Sequence, residues 1–229
     1  MRPGFEVVRR AVLRCVPDAD KVWYDADREQ IVLSISGHSQ PFDNLSAGQR
    51  MMLALVADIA VKAVTQNAHL LPPDELAAKD DPLPRVLRLT PGIVLIDELD
   101  VHLHPRWQRR VATDLKETFP AIQFVCTSHS PQVIGEVSPA EIRMLEDEDV
   151  TTPRRSFGID SSRILEELMR TKPRTESVEV SLRKLFRLID NEDFSAARDQ
   201  LREIEANLGA NDPEITRART LMSFLEDTV

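Results

Sequence analysis

The sequence predicts an α/β fold in which a mostly parallel sheet, covered on both faces, is followed by a helical appendage. Up to about residue 145, short apolar runs alternate with segments of helical periodicity, as in sheets whose strands are joined by helices. Beyond about residue 160, apolar residues recur only at helical spacing. These last helices are expected to pack on each other or on a partner.

The composition is that of an ordinary globular protein. Of the 229 residues, 42% are hydrophobic and 29% are charged, and the net charge of −9 argues against a wholly basic surface for nucleic acid. Two cysteines give no disulfide framework, and Cys126, within an apolar run, is expected to be buried. The N-terminal residues lack the apolar core of a signal peptide, and no run approaches membrane-spanning length. We therefore expect a cytoplasmic protein without a membrane partner.

Each element of the first part of the chain has a local signal. Ser46 is a good N-cap for a helix that is apolar over most of its circumference and is therefore expected to be buried. Prolines between residues 69 and 91 predict a surface insertion. The predicted elements are a helix over residues 5–16, a hairpin of strands 21–24 and 31–35 around a polar turn, and a helix from about Ser46 to Val64.

The remaining elements complete the sheet and the appendage. Strands are predicted at 93–96, 122–126 and 141–145, and helices at 106–119, 162–169, 178–189, 194–208 and 213–225. The polar stretch from Glu146 to about Ser161 is expected to be a loop. The corresponding domains are a partial core over 1–150, a loop and linker region over 151–175, and a helical appendage over 176–229.

An apolar strand over 93–96 runs directly into two carboxylates, Asp97 and Glu98. In open α/β sheets, ligands bind at the carboxyl ends of parallel strands. Asp97 could hold the coordination shell of Mg²⁺ while Glu98 polarises a water molecule against a γ-phosphate. A buried strand that merely runs into an acidic loop is an equally open reading of this motif alone.

Two further segments, one before and one after this strand, are candidates for contact with a phosphate group. Ser46, Gly48 and Gln49 lie at a predicted helix start, where backbone N–H groups can bind an anion, although a plain N-cap explains them as well. His129 follows the next apolar strand and could report the presence of a γ-phosphate, or could be an ordinary loop residue.

Together these segments resemble the ABC-type ATPase heads of chromosome-maintenance and recombination proteins, within the AAA family. The likeness is greatest to the RecF-like and OLD-like bacterial group, which includes Septu- and retron-associated defence ATPases. The resemblance makes Leu45–Gln49 the signature motif, Ile93–Glu98 the Walker B strand, Leu99–Pro105 the D-loop and His129 the switch histidine. It covers about residues 40 to 145.

The resemblance implies two cofactors, ATP and Mg²⁺, held between two protomers. Asp97 would serve the metal, and Glu98 and His129 would be catalytic. The signature residues Ser46, Gly48 and Gln49 would contact the nucleotide of the other protomer, with Asp100 as a further nucleotide-binding residue. It also implies a homodimer and a nuclease effector, and leaves DNA contact open.

His102 and His104 lie beside these carboxylates, and they are expected to be D-loop packing residues rather than metal ligands. The sequence also contains a cluster of six arginines, which is explained either by contact with DNA or by an ordinary solvated surface. Its members are Arg154, Arg155, Arg163, Arg170, Arg174 and Arg183.

No GxxxxGK[ST] phosphate-binding loop is present, since none of the seven glycines begins such a run. In the resembling family this Walker A loop precedes the signature motif. Truncation is the expected explanation, with loss of the loop or its presence on another chain as alternatives. Hydrolysis by this chain alone is accordingly not expected. The alternative functions are a pseudo-ATPase that docks an effector through its helical tail and, third, a transporter ATPase.

Overall fold

The computed structural model describes residues 3–67, 69, 71, 83–146 and 149–226. The chain divides into two compact units, Met1–Ile164 and Leu165–Val229, and each is described by itself. Much of the predicted insertion over 69–91 lies outside the described residues. Its last part is not a surface loop: a short helix follows Pro84, and Val86 and Leu87 are buried in the core because both lie on its apolar side.

In its described residues, the first unit contains helices and three small sheets. Its helices are α1 (Pro3–Cys15), α2 (Ala47–Asn67), α3 (Arg85–Leu89), α4 (Pro105–Thr118), α5 (Pro131–Ile134) and α6 (Ser161–Glu167), the last of which runs across the boundary between the units. Its strands are β1 (Ala19–Asp25), β2 (Gln30–Ile35), β3 (His38–Pro41), β4 (Gly92–Ile96), β5 (Ile122–Cys126), β6 (Met144–Glu146) and β7 (Asp149–Thr151).

The predicted hairpin is confirmed, and a third strand extends it. Strands β1 and β2 pair antiparallel, with Tyr24 opposite Ile31. The carboxylate of Asp25 accepts hydrogen bonds from the backbone N–H groups of Asp27 and Arg28, which closes the turn. Strand β3 then pairs with β2 across a turn at Gly37, whose φ of 81° suits a residue without a Cβ.

Helix α2 forms where the sequence predicts it, but it is only partly buried, since Val61 is 46% exposed. Ser46 precedes it, and one side of the helix is buried along its whole length, from Gly48 to Ala63. Helices α1 and α4 join it in one hydrophobic core, in which Val7 and Phe119 are fully buried. This core supports one face of the strands that carry the candidate site.

Strands β4 and β5 pair in parallel, with Gly92 opposite Ile122 and Ile96 opposite Cys126. On one face, Val94, Ile96 and Phe124 pack against the core. On the other face, Ile93, Leu95 and Val125 are 68%, 76% and 51% exposed. The expectation that both faces are covered is therefore wrong for the residues that the structure describes, because no described element packs on this second face.

Two further expectations differ from the structure at the edges of this region. Cys126, expected to be buried, is exposed because it is the last residue of β5, at the rim of the sheet. The strand expected over 141–145 forms only at Met144–Glu146, and it pairs antiparallel with β7 rather than joining β4 and β5. Strand β7 lies within the stretch that was expected to be a loop.

The second unit is a three-helix arrangement with a core of its own. Its helices are α7 (Glu176–Asp190), α8 (Phe194–Leu208) and α9 (Pro213–Glu226), at the positions that the sequence predicts. Leu185, Ile189 and Ile215 are fully buried where the three helices meet. Asp193 caps α8 by accepting a hydrogen bond from the N–H of Ala196.

Candidate functional site

The two predicted carboxylates lie in a tight turn, residues Asp97–Leu103, here called the acidic turn. It follows the carboxyl end of β4, and the backbone N–H of Val101 donates to the carbonyl of Glu98. Glu98 and His102 have φ angles of 54° and 63°, in the left-handed region that residues with a Cβ rarely occupy. Such strain is typical of functional sites.

Thr127, directly after β5, links Asp97 and Glu98. Its hydroxyl donates to the Oδ1 atom of Asp97 at 2.5 Å and accepts from the backbone N–H of Glu98 at 2.7 Å. The backbone N–H of Leu99 donates to the carbonyl of Thr127 at 3.0 Å. The parallel register of the two strands brings these residues together, since Ile96 and Cys126 are partners. The side chains of Asp97 and Glu98 remain exposed.

Asp100 holds the loop that carries His129. This loop, residues Thr127–Ser130, is here called the histidine loop. The hydroxyl of Ser128 donates to the Oδ1 atom of Asp100 at 2.6 Å, and the backbone N–H of His129 donates to the same atom at 3.2 Å. The imidazole of His129 is exposed. Asp97, Glu98, Asp100 and His129 are thus brought to one edge of the strand pair, as their positions after the strands predicted.

Ser46 and Gln49 form a reciprocal cap at the start of α2. The backbone N–H of Gln49 donates to the hydroxyl of Ser46 at 3.3 Å, and the N–H of Ser46 donates to the side-chain oxygen of Gln49 at 3.0 Å. Ser46 is exposed, whereas Gln49 is buried. The predicted N-cap is therefore present, and the side chain of Gln49 is engaged within the chain.

Gly48 is in close contact with the acidic turn. A Cβ at this position would lie 2.5 Å from the carbonyl oxygen of His102 and 3.3 Å from the side chain of Leu103. Because Gly48 has no side chain, the start of α2 can lie close to the backbone of His102. This contact is the observed link between the start of α2 and the acidic turn.

His104 caps α4. Its Nδ1 atom accepts a hydrogen bond from the backbone N–H of Arg106 at 3.2 Å, and its ring meets that of Trp107 edge to face. His102 contributes its backbone carbonyl to the contact with Gly48. His104 therefore has a capping role, whereas the side chain of His102 is exposed and its packing role stays a prediction.

Gln108 and Thr127 were not singled out from the sequence, and Ser128 and Ser130, which flank His129, were given no role of their own. Thr127 and Ser128 follow β5 directly, so their position after a second parallel strand was an available signal. Ser130 precedes Pro131 at the start of α5, which is a typical N-cap pattern. Gln108 lies on α4 and had no local signal, because its partners come from two separate loops.

Two of the six arginines of the predicted cluster form ion pairs within the second unit. Arg174 makes a two-pronged ion pair with the carboxylate of Asp212, at 3.1 and 3.0 Å, and Arg183 pairs with Glu176. These acidic partners neutralise part of the positive charge. The proposal of DNA contact at this cluster therefore loses support.

The oxygen atoms at the carboxyl edge suit a hard divalent cation. Mg²⁺ prefers oxygen ligands, keeps several water molecules and usually takes only one or two carboxylates. The exposed carboxylate of Asp97, with the Thr127 hydroxyl beside it, fits that description. The phosphate contacts of a GxxxxGK[ST] loop are not offered by these 229 residues.

Comparison with known proteins identifies the class of the first unit. Residues 34–135 match the family described as "AAA domain, putative AbiEii toxin, Type IV TA system". The matched range includes the start of α2, the acidic turn and the histidine loop. The predicted resemblance to the AAA family is confirmed, and so is the fold class in its α/β, P-loop NTPase-like head with C-terminal helices.

The similar relatives include two retron probable ATPases and a Septu protein. The chain is 34% identical over 145 residues to the Retron Vc95 probable ATPase of Vibrio cholerae serotype O1 biovar El Tor, and 34% over 167 residues to the Retron Ec83 probable ATPase of Escherichia coli. It is 32% identical over 128 residues to the Septu protein PtuA of Bacillus mycoides (strain KBAB4). These alignments cover 63%, 72% and 55% of this chain but only 26%, 28% and 16% of the relatives. The chain thus spans about a quarter of their length or less.

Among solved structures, the chain is similar to one described under ATP-driven dimerization and DNA-stimulated activation of SMC ATPases. That match has a TM-score of 0.44 and 18% identity, and covers 73% of this chain and 94% of the other. Among the helices that the structure describes, none combines the length and the hydrophobicity needed to span a bilayer.

Proposed function

We propose that this chain is part of an ATP-binding and ATP-hydrolysing head of a bacterial DNA-maintenance or anti-phage defence complex. One observation carries the proposal: Asp97, Glu98 and His129 are held at one edge of a parallel strand pair by hydrogen bonds to Thr127 and Asp100. The likeness to the retron probable ATPases and to the Septu protein PtuA supports the same class of function. ATP and Mg²⁺ are the proposed cofactors.

Within this proposal, each residue of the edge has a separate role. Bound Mg²⁺ would neutralise the charge that develops on the phosphate oxygens. Asp97 would hold the water shell of that ion, and the Thr127 hydroxyl would keep its carboxylate oriented. Glu98, whose backbone N–H is fixed by Thr127 while its carboxylate is exposed, would orient the attacking water.

The signature residues would act on the other protomer of a homodimer. Exposed Ser46, at the N-terminus of a 21-residue helix, is suited to approach a phosphate bound elsewhere. Gly48 and Gln49 would support that terminus from within, Gly48 through its contact with His102 and Gln49 through the reciprocal cap. Asp100 would order the histidine loop beside the nucleotide.

A second candidate function is a non-catalytic interaction protein, favoured by one specific observation. The second unit has its own buried core, around Leu185 and Ile215, and so has the features of a separate docking unit. The domain division predicted from the sequence, with an appendage over 176–229, remains part of this proposal. A nuclease effector would be its partner.

Paramagnetic relaxation by Mn²⁺·ATP tests the proposed nucleotide site, because it detects binding even when affinity is low. In NMR spectra of the purified chain, Mn²⁺·ATP should broaden the signals of Asp97, Glu98 and His129 in preference to those of the second unit. Asp97→Asn should raise the Mn²⁺·ATP concentration required by about tenfold or more, since it removes the proposed ligand charge.

The matched control is Asp199→Asn, which removes an exposed carboxylate from α8. It should leave the broadening at the acidic turn unchanged. Uniform broadening over the chain, or broadening at the acidic turn that Asp97→Asn does not reduce, would overturn the assignment of the nucleotide site. In either case the non-catalytic reading would be favoured.

A further inference from the structure

The side chain of Gln108 joins the acidic turn to the histidine loop. Its Nε2 atom donates to the carbonyl oxygens of Asp100 and Leu103, at 3.1 and 3.0 Å, and its Oε1 atom accepts from the hydroxyl of Ser130 at 2.8 Å. Carbonyl oxygens can only accept, so the NH₂ group of the amide must face them. The orientation of the amide is therefore determined by its partners.

The hydroxyl group of Ser130 is the donor to the amide of Gln108, because the other hydrogen bonds of Ser130 use its oxygen as an acceptor. The hydroxyl oxygen of Ser130, which is buried, accepts from the backbone N–H groups of Gln132 and Val133 at the start of α5. Its proton is then available to donate, and the Oε1 atom of Gln108 is the nearer of two acceptors, at 2.8 Å against 3.1 Å for that of Gln132.

The contacts close into a ring. The backbone N–H of Ser130 donates to the hydroxyl of Ser128 at 3.1 Å, which donates to the carboxylate of Asp100 at 2.6 Å. The carbonyl of Asp100 accepts from Gln108, whose amide oxygen accepts from Ser130. This hydrogen-bonded ring, formed by Gln108, Ser130, Ser128 and Asp100, holds the residues on both sides of His129.

We propose that Gln108 is a positioning residue that locks the histidine loop to the acidic turn and so fixes His129 relative to Glu98. The functional part of this inference rests on the proposed nucleotide site. Gln108 itself does not touch the reacting atoms. It acts because a closed ring of consecutive hydrogen bonds allows little independent motion of the two loops.

Amide hydrogen exchange tests the ring without requiring nucleotide. In Gln108→Met, which has a similar size but no hydrogen-bonding amide, the amides of Leu103, His129 and Ser130 should exchange about tenfold faster than in the wild type. The amide of Phe119, which donates to Leu115 at 2.9 Å, should be unchanged and reports on the surrounding core. Unchanged exchange at Leu103, His129 and Ser130 would overturn the proposal.

Two further variants keep the test decisive if Gln108→Met loosens the whole unit. Gln132→Met is the matched control, because it removes the other amide near Ser130 and leaves the ring intact. Gln108→Met and Ser128→Ala should be non-additive in their effects on His129 exchange, since either substitution opens the same ring. Additive effects would contradict a closed ring.

Mn²⁺·ATP then separates this inference from the proposed function. In Gln108→Met, broadening should persist at Asp97 but fall at the His129 ring signals, because the imidazole is no longer held near the metal. Equal broadening at both residues in wild type and variant would overturn the positioning role while the nucleotide site stands. An absence of selective broadening in the wild type would remove the nucleotide site and, with it, the functional role of Gln108.

Discussion

The two units of the chain differ in how completely they bury their apolar surfaces. In the second unit, three helices adjacent in sequence enclose Leu185, Ile189 and Ile215. In the first unit, the described residues cover one face of the β4–β5 pair and leave Ile93 and Leu95 largely exposed on the other. Parallel strands are almost always covered on both faces, so this open face is unusual.

The two units also differ in which segments their polar side-chain interactions join. The side-chain ion pairs of the second unit lie mainly on helix surfaces, as between Arg219 and Glu205. The hydrogen bonds at the edge of the first unit join loops that are distant in sequence, as between Thr127 and Asp97. The comparison teaches that the second unit is stabilised by contacts between consecutive helices, whereas the candidate site depends on hydrogen bonds between separate loops.

The largest expected effect tests whether the second unit folds by itself. Leu185→Ala should destabilise that unit by about 2–5 kcal/mol, because it leaves a cavity at a fully buried position. Thermal unfolding followed by NMR should show early loss of the signals of α7 to α9 while those of α2 persist. Val180→Ala, at a half-exposed position on the same helix, is the control and should change stability by less than about 0.5 kcal/mol. Simultaneous loss of both sets of signals would show that the units unfold together.

An intermediate effect is expected where α2 meets the acidic turn. Gly48→Ala should lower the free energy of unfolding of the first unit by about 1–3 kcal/mol, because the new Cβ would lie 2.5 Å from a backbone carbonyl oxygen. Denaturant unfolding of the purified variant measures this change. Gly92→Ala places its Cβ 4.0 Å from the nearest atom and serves as the control. Equal stability of the two variants would mean that the acidic turn moves away from α2 at little cost.

The smallest expected effect concerns pH. Hydrogen bonds from Arg9, and also from Arg10, hold the pKa of the Glu6 carboxyl at about 2, against an ordinary value of 4.5. Because the folded-state pKa is the lower one, this contribution is fully present above about pH 4.5 and is lost as the pH falls towards 2. Glu6→Gln should remove up to about 1 kcal/mol of stability at pH 7 and less at acid pH, since the pair is partly exposed.

Denaturant unfolding at pH 7 and pH 3 measures that difference. Glu117→Gln is the control, because its carboxylate is largely exposed and lies 3.6 Å from Arg14. A Glu6→Gln variant as stable as the wild type at pH 7 would show that the interactions of Glu6 add nothing to the stability of the first unit.

Helices and strands with a strong local pattern were predictable. Helix α8 has the predicted bounds, Phe194 to Leu208, and the hairpin of β1 and β2 forms around its predicted turn. Local periodicity suffices in these cases because the residues that pack together are neighbours in sequence. Strand β6 was placed less well, since its partner β7 lies in a polar stretch without a strand pattern.

The sequence by itself determined the class of the protein and the carboxylates of the candidate site. Asp97 and Glu98 directly follow an apolar strand, and that order along the chain is enough to place them at a strand end. The tertiary structure decided which residues hold them in place. The pairing of β5 with β4 places Thr127 beside Asp97. The packing of α4 places Gln108 within hydrogen-bonding distance of both the acidic turn and the histidine loop. It also decided that Gly48 contacts the carbonyl of His102. These contacts depend on residues far apart in the chain, so no local pattern encodes them.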